Sequence, residues 1–304
     1  MSEIRFDDRV VVVTGAGGGL GRAYALAFAA RGAKVIVNDL GGDIRGEGEN
    51  VSAADRVVGQ IRDLGGEAVS NHDSVENGER IIDAALTNFG RVDIVVNNAG
   101  ILRDASFRKM TVEDWERVYR VHLFGAFKVT HAAWPHMLDQ RFGRIVNTAS
   151  AAGAYGNFGQ ANYSAMKLGL VGFTKTLAVE GAGKNVTANV IAPVAASRLL
   201  ETILTPERMA ILKPEYVTPL VLRLCAEHNE ESGSLFEVAA GWMAKVRWER
   251  AEGISLPTNP VFTVEDVDAG WEKICDFSVS DHPASIRDRS AAVTAKLVEA
   301  GLLP

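Results

Sequence analysis

The chain has 304 residues, 47% of them apolar, with a formal charge of -6 and a pI of about 5.6. That length allows roughly two domains and a large core, and the acidity argues against the basic stripe that nucleic acid or an anionic membrane surface requires. The two cysteines, Cys225 and Cys275, lack metal-ligand or CxxC spacing, and no apolar run approaches 18 residues, which predicts reduced thiols in a soluble cytoplasmic protein.

In chain order, polar MSEIRFDD leads into a first strand at 10–14 without the apolar core of a signal peptide. Further strands are predicted at 34–38, 68–71, 92–97, 144–148, 186–191 and 235–238. Helices are predicted between them at 19–31, 52–64, 77–89, 112–140 (broken near Phe124), 161–181 and 214–226. Runs such as VVVV and DIVV are apolar without alternation, the mark of parallel strands covered on both faces. Strand and helix alternating in this way predict an α/β fold, a doubly wound, Rossmann-like parallel sheet of seven strands.

Three stretches break the rhythm. GGDIRGEGEN at 41–50 reads as a polar loop, and residues 194–213 read as the irregular segment where a substrate lid would sit. Residues 242–304 follow the 1–241 core as a C-terminal extension holding Trp242, Trp248 and Trp271, three of the five tryptophans. So much aromatic area should pack on the core or on a partner subunit. The final GLLP is not a peroxisomal SKL-type tag.

TGAGGGLG at 14–21 closes the first strand and opens the first helix. Gly15, Gly19 and Gly21 permit a tight turn and bring a pyrophosphate close to backbone amides at a helix N-terminus, with Leu20 between them. Asp39 ends the second strand, 24 residues after Gly15. A carboxylate there accepts ribose hydroxyls and repels a 2′-phosphate; with Gly18 and Leu40 not basic, the cofactor reads as NAD. The plainer alternative is that Asp39 only caps the Gly41–Gly42 turn. Asp73 and Ser74 follow the third strand on the adenine side, and Asn97-Asn98-Ala99-Gly100 lines the cleft after the fourth.

Tyr163-Ser-Ala-Met-Lys167 opens a helix, and a spacing of four puts phenol and ammonium on one face. Lowering a phenol from about 10 to about 7.5 takes about 3.4 kcal/mol. One cation about 4 Å away offers up to about 4 kcal/mol at an effective dielectric near 20. Ser150 precedes Tyr163 by 13 residues and can hold the reacting oxygen. Alone, YxxxK would be an ordinary helix face.

Together, TGAGGGLG, NNAG, the serine and YSAMK resemble the short-chain dehydrogenase/reductase superfamily over about residues 9–241. VVNDLGGD, NNAGILRD, YGNFGQANYSAMKLGL and LFEVAAGWMAKVRWER are similar more narrowly to the (3R)-hydroxyacyl-CoA dehydrogenase unit of peroxisomal multifunctional (D-bifunctional) enzymes. That unit is also called 17β-hydroxysteroid dehydrogenase type 4. The resemblance implies NAD-dependent oxidation of a 3-hydroxyacyl-CoA, a homodimer, and a tail that helps close the site. It also leaves open a free hydroxysteroid or a steroid-side-chain CoA thioester as substrate, and more remotely a non-catalytic NAD-binding regulator.

Two positions depart from the superfamily pattern. His122 stands where most members carry a fourth catalytic Asn; it either anchors a water leading to Lys167 or is a satisfied helical histidine. Pro193 is followed by Val194 in place of the usual Gly, so the nicotinamide-side loop must differ. No hydratase-like acid–His motif occurs, so hydration is expected from a separate enoyl-CoA hydratase. His72, His131 and His136 form no plausible metal set. Arg247 and Arg250 could meet CoA phosphates or be solvated surface charge.

Overall fold

The computed structural model describes residues 3–43, 45–48, 52–195, 205 and 211–303. Its strands are β1 (Val10–Thr14), β2 (Lys34–Asn38), β3 (Glu67–Asn71), β4 (Ile94–Asn97), β5 (Gly143–Thr148), β6 (Val186–Val194), β7 (Leu235–Ala239) and β8 (Trp242–Val246). They form one sheet in the order β3-β2-β1-β4-β5-β6-β7-β8. Every pairing from β3 through β7 is parallel. The helices that position the site are α1 (Gly19–Ala29), α2 (Ser52–Asp63), α3 (Gly78–Phe89), α4 (Val112–Tyr119), α5 (Gly125–Gln140), α6 (Ala151–Tyr155), α7 (Ala161–Gly181) and α8 (Thr218–Cys225).

The apolar runs are continuous because the sheet has a core on each face. Val11 and Val13 pack with Tyr24 and Phe28 of α1 and Ile61 of α2. Val10 and Val12 point the other way, into Ile81 and Ile82 of α3 and Met137 of α5. Alternate residues of one strand thus serve opposite cores. Each of these buried valines contributes about 1.5–3 kcal/mol relative to exposure.

Among the described residues the sheet has eight strands, one more than predicted. Ala240 (φ 46°) and Gly241 (φ 87°) make a two-residue turn that folds β8 back onto β7. The predicted 112–140 helix is interrupted by a π-helical turn, Arg120–Phe124. The 214–226 helix shortens to a 3₁₀ turn, Pro214–Tyr216, and α8. The expected lid falls largely on 196–204 and 206–210, outside the described residues.

The chain divides into two compact units, Met1–Lys245 and Val246–Pro304. Taken by itself, the second holds two short strands paired antiparallel, with Arg250 hydrogen-bonded to Asp281, and helices opened by capping boxes at Thr263/Asp266 and Ser285/Asp288. Trp248 and Trp271 are 49% and 57% exposed. No described helix is long and apolar enough to cross a membrane.

Candidate active site

Strand order reverses between β1 and β4, the switch point where open α/β sheets bind ligands beyond their strand ends. The turn after β1 begins with Gly15 at φ +64°, and a Cβ there would lie 2.8 Å from Ala99 Cα. The close approach is fastened by Asn98, whose amide donates to the carbonyls of Thr14 and Gly15 (3.1 Å each). Thr14 Oγ1 accepts from the amides of Asn98 and Ala99 (3.1 Å each). In front of Gly18 and Gly19, at the N-terminus of α1, nothing lies within 4 Å of a built Cβ. This open cradle of backbone fits a dinucleotide pyrophosphate. Leu20 turns inward against the core.

Asp39 follows β2 and is held in place. Gly17 N–H donates to its Oδ2 and Gly41 N–H to its Oδ1, both at 2.7 Å. Capping the Gly41 turn and facing the cradle are therefore not exclusive, since each oxygen takes one amide. Asp73 Oδ2 accepts from Asn71 (2.9 Å), and Ser74 Oγ caps the next 3₁₀ turn through Glu76 N–H (3.3 Å). Pro193 lies in β6, in register with Val238 of β7.

The three residues expected to react, Ser150, Tyr163 and Lys167, meet where β5 ends and α7 begins. Ser150 is the N-cap of α6, accepting from Ala152 N–H (3.2 Å), and its hydroxyl faces that of Tyr163 closely enough to act on the phenol's pKa. Lys167, one turn on from Tyr163, is 3% exposed. Its Nζ lies 5.3 Å from the Tyr163 ring centroid and donates to the Thr148 carbonyl (2.5 Å). The rings of His122 and Tyr163 meet edge to face, centroids 5.2 Å apart.

Electrostatically the centre differs from expectation. Burial pushes the Tyr163 phenol up to about 12, with Ser150's hydrogen bond pulling down and Asp104 adding a smaller upward push. Burial also lowers Lys167 to about 7. The anticipated lowering of Tyr163 by Lys167 requires a charged ammonium, and burial removes much of that charge near neutral pH.

His122 sits in the π-helical turn, where the wider loop aims its ring at the end of β4. Ile101 N–H lies 3.0 Å from its Nε2, and the Ile101 carbonyl 2.8 Å from the same atom. Gly100 makes room, since a Cβ there would stand 2.5 Å from the imidazole. Burial and the nearby Lys167 hold the ring well below the usual histidine range, so it is neutral. His122, Asn97, Thr148 and Lys167 line one cavity of ≈ 10 Å³.

Sequence reasoning passed over Asn162 and Arg103. Fully buried Asn162 accepts Tyr163 N–H on its side-chain oxygen (2.7 Å) and donates to the Arg103 carbonyl (3.1 Å). A polar residue directly before Tyr163 was the available signal for the first; nothing local marked the second.

A glycine cradle at the switch point, with a half-buried Ser150 and Tyr163 and a buried Lys167 beside it, defines an oxidoreductase that works with a nicotinamide cofactor. The family model for short chain dehydrogenase matches residues 9–202, and the chain belongs to that family. It is similar to the mouse peroxisomal multifunctional enzyme type 2, 59% identical over 293 residues, covering 96% of this chain and 40% of the relative. It is also similar to the peroxisomal hydratase-dehydrogenase-epimerase of Neurospora crassa, 54% identical over 287 residues, 94% of this chain and 32% of the relative. Among solved structures it resembles the full-length peroxisomal multifunctional enzyme type 2 of Drosophila melanogaster, with a TM-score of 0.83 and 43% identity over 97% of this chain and 50% of that one. The chain thus spans about a third to a half of the length of these proteins.

Proposed function

We propose that this chain oxidises a (3R)-3-hydroxyacyl-CoA to the 3-oxoacyl-CoA with NAD. The observation that carries the chemistry is Tyr163 set beside Ser150, one helical turn from buried Lys167, whose Nζ lies 5.3 Å from the Tyr163 ring centroid. The likeness to multifunctional enzymes, which extends into the tail, supports the thioester. Asp39, held toward the cradle by Gly17 and Gly41, supports NAD over NADP.

Tyr163 takes the proton of the substrate hydroxyl, and Ser150 orients that oxygen while stabilising the phenolate. Oxidised nicotinamide, when bound, supplies the hydride acceptor and a positive charge that favours the phenolate. Lys167 holds the nicotinamide ribose and, largely neutral above about pH 7, receives protons from the Tyr163 side. Asn97 Oδ1, His122 Nδ1 and Thr148 Oγ1 are buried without a hydrogen-bond partner around the same cavity, whose ≈ 10 Å³ suits about one water. This supports His122 as the residue that anchors a water leading to Lys167.

Turnover of (3R)- and (3S)-hydroxyacyl-CoA over several chain lengths, with NAD and with NADP, tests the reading. Oxidation of a free hydroxysteroid without any (3R)-thioester turnover would replace it with the steroid alternative. No turnover of either would leave an NAD-binding regulator. An enoyl-CoA hydratase, whether a fused unit or a separate protein, is the proposed source of substrate. The relatives' names are peroxisomal, so the cytoplasmic expectation draws no support from them.

A further inference from the structure

Arg103 lies outside the Ser150–Tyr163–Lys167 centre, yet it joins two parts that the centre depends on. Its side chain is only 11% exposed. The guanidinium reaches the loop after Asp39, where Nε donates to the Arg45 carbonyl (2.9 Å) and Nη2 to Glu47 Oε1 (3.0 Å). Nη1 lies 3.6 Å from Asp114 Oδ1 on α4. The Arg103 carbonyl accepts from Asn162, which also donates to the Asp114 carbonyl (3.3 Å) and receives Tyr163 N–H.

The loop it grips has a defined shape. Asp43 Oδ1 accepts the amides of Arg45 (2.8 Å) and Glu47 (2.9 Å), and Asp43 N–H donates to the Glu47 carbonyl (2.8 Å). Gly46 packs so closely on Ile101 that a Cβ would stand 3.1 Å from its side chain, and Ile101 in turn contacts His122. At its start, Gly41 holds the Asp39 carboxylate. A continuous path of hydrogen bonds and packing therefore runs from Asp39 through this loop and Arg103 to Asn162 and the backbone of Tyr163.

We propose that Arg103 is a positioning residue through which occupation of the Asp39 side of the cofactor cleft is transmitted to the placement of Tyr163. The inference rests on Asp39 and Tyr163 having the roles assigned above, and it is independent of the substrate. Arg, not Lys, suits the position because its fork serves the Arg45 carbonyl, Glu47 and Asp114 at once.

The test uses the full chain. Hydrogen exchange is read in peptides covering 14–21, 43–48 and 159–166, with and without NADH, and NADH affinity is read by fluorescence titration. In the unaltered protein, NADH should slow exchange in all three peptides. In Arg103→Met, slowing at 159–166 should be lost while slowing at 14–21 remains, and the NADH Kd should rise by at least about fivefold, the low end of a coupling. Arg103→Lys should recover part of both. A folded Arg103→Met that keeps NADH-induced slowing at 159–166 overturns the proposal. If Arg103→Met does not fold, Glu47→Gln decides. That side chain is 58% exposed, so its change spares the core, and it should move both readouts in the same direction by less. Unchanged readouts in that variant would then overturn the proposal. Acyl-CoA is absent from every arm, so a failure to oxidise (3R)-3-hydroxyacyl-CoA counts against the substrate assignment alone.

Discussion

Replacing Lys167 by Met should stabilise the cofactor-free protein while abolishing turnover. The ammonium is 3% exposed, and desolvation lowers its pKa from 10.5 to about 7. In the unfolded chain a lysine keeps its proton up to about pH 10.4. Between about pH 7 and 10.5 the unfolded state therefore binds a proton that the folded state releases, so stability rises with pH through that window. At 1.36 kcal/mol per unit the whole shift is worth about 5 kcal/mol. That cost is fully present below about pH 7 and gone by pH 10.5.

Methionine keeps most of the stem's volume and removes the charge. Against the gain stands the Thr148 carbonyl, which loses its donor at a cost of about 1–3 kcal/mol. The net expectation at pH 7 is a gain of about 1–3 kcal/mol. A unit of this size should then melt higher by about 2–4 °C per kcal/mol. Urea unfolding of both proteins between pH 6 and 9.5 measures it, and the gap should narrow steadily as pH rises. A Met variant less stable than the original at pH 7, or a gap flat in pH, would refute the reasoning.

Tyr163→Phe should abolish turnover and leave the NADH Kd within about twofold, because the phenol acts in the transition state; turnover kept within a few-fold rules Tyr163 out as the acid/base. Asp39→Ala should weaken NAD and narrow the preference over NADP by about tenfold or more, at about 1.4 kcal/mol per tenfold; an unaltered protein that uses both cofactors equally removes the basis for this. We expect a homodimer through α5 and α7, whose Phe127, Leu168 and Val179 are exposed in the single chain; a monomer by light scattering at micromolar concentration contradicts it. The tail is proposed to serve acyl-CoA turnover, so ending the chain after Lys245 should leave an NAD-binding core with acyl-CoA oxidation largely lost. Near-normal KM and kcat for a long-chain thioester in that truncated protein would reduce the tail to packing.

What could be read from sequence was what period and local chemistry determine. VVVV at 10–13 reads as a strand buried on both faces because β-branched side chains suit the pleated surface and a run this short, without a polar residue, needs cover on both sides. The TGAGGGLG turn was readable for a similar reason, since Gly15 at φ +64° beside Ala99 admits no other side chain without strain. β8 was missed because its turn is Ala240-Gly241, with an alanine at φ 46° where the usual signal is Asn or Gly. The broken helix was visible near Phe124, but its π-helical form was not, because the extra residue in that turn serves His122's reach to Ile101.

The phenol's pKa was misjudged for a deeper reason. Charge separation can be estimated from a spacing of four, whereas desolvation depends on what folds over the pair. Asn97, Thr148 and Leu170 come from different elements to enclose Lys167, and their enclosure lowers the lysine before it can lower the tyrosine. Arg103 belongs to the same category. Its partners, Glu47 and Asp114, are 56 and 11 residues away, one in the loop after β2 and the other on α4, and it is the fold that brings them to one side chain. Spacing thus locates the reacting groups along the chain, while their protonation and alignment arise from contacts distant in sequence, which is why the informative variants are Lys167→Met and Arg103→Met.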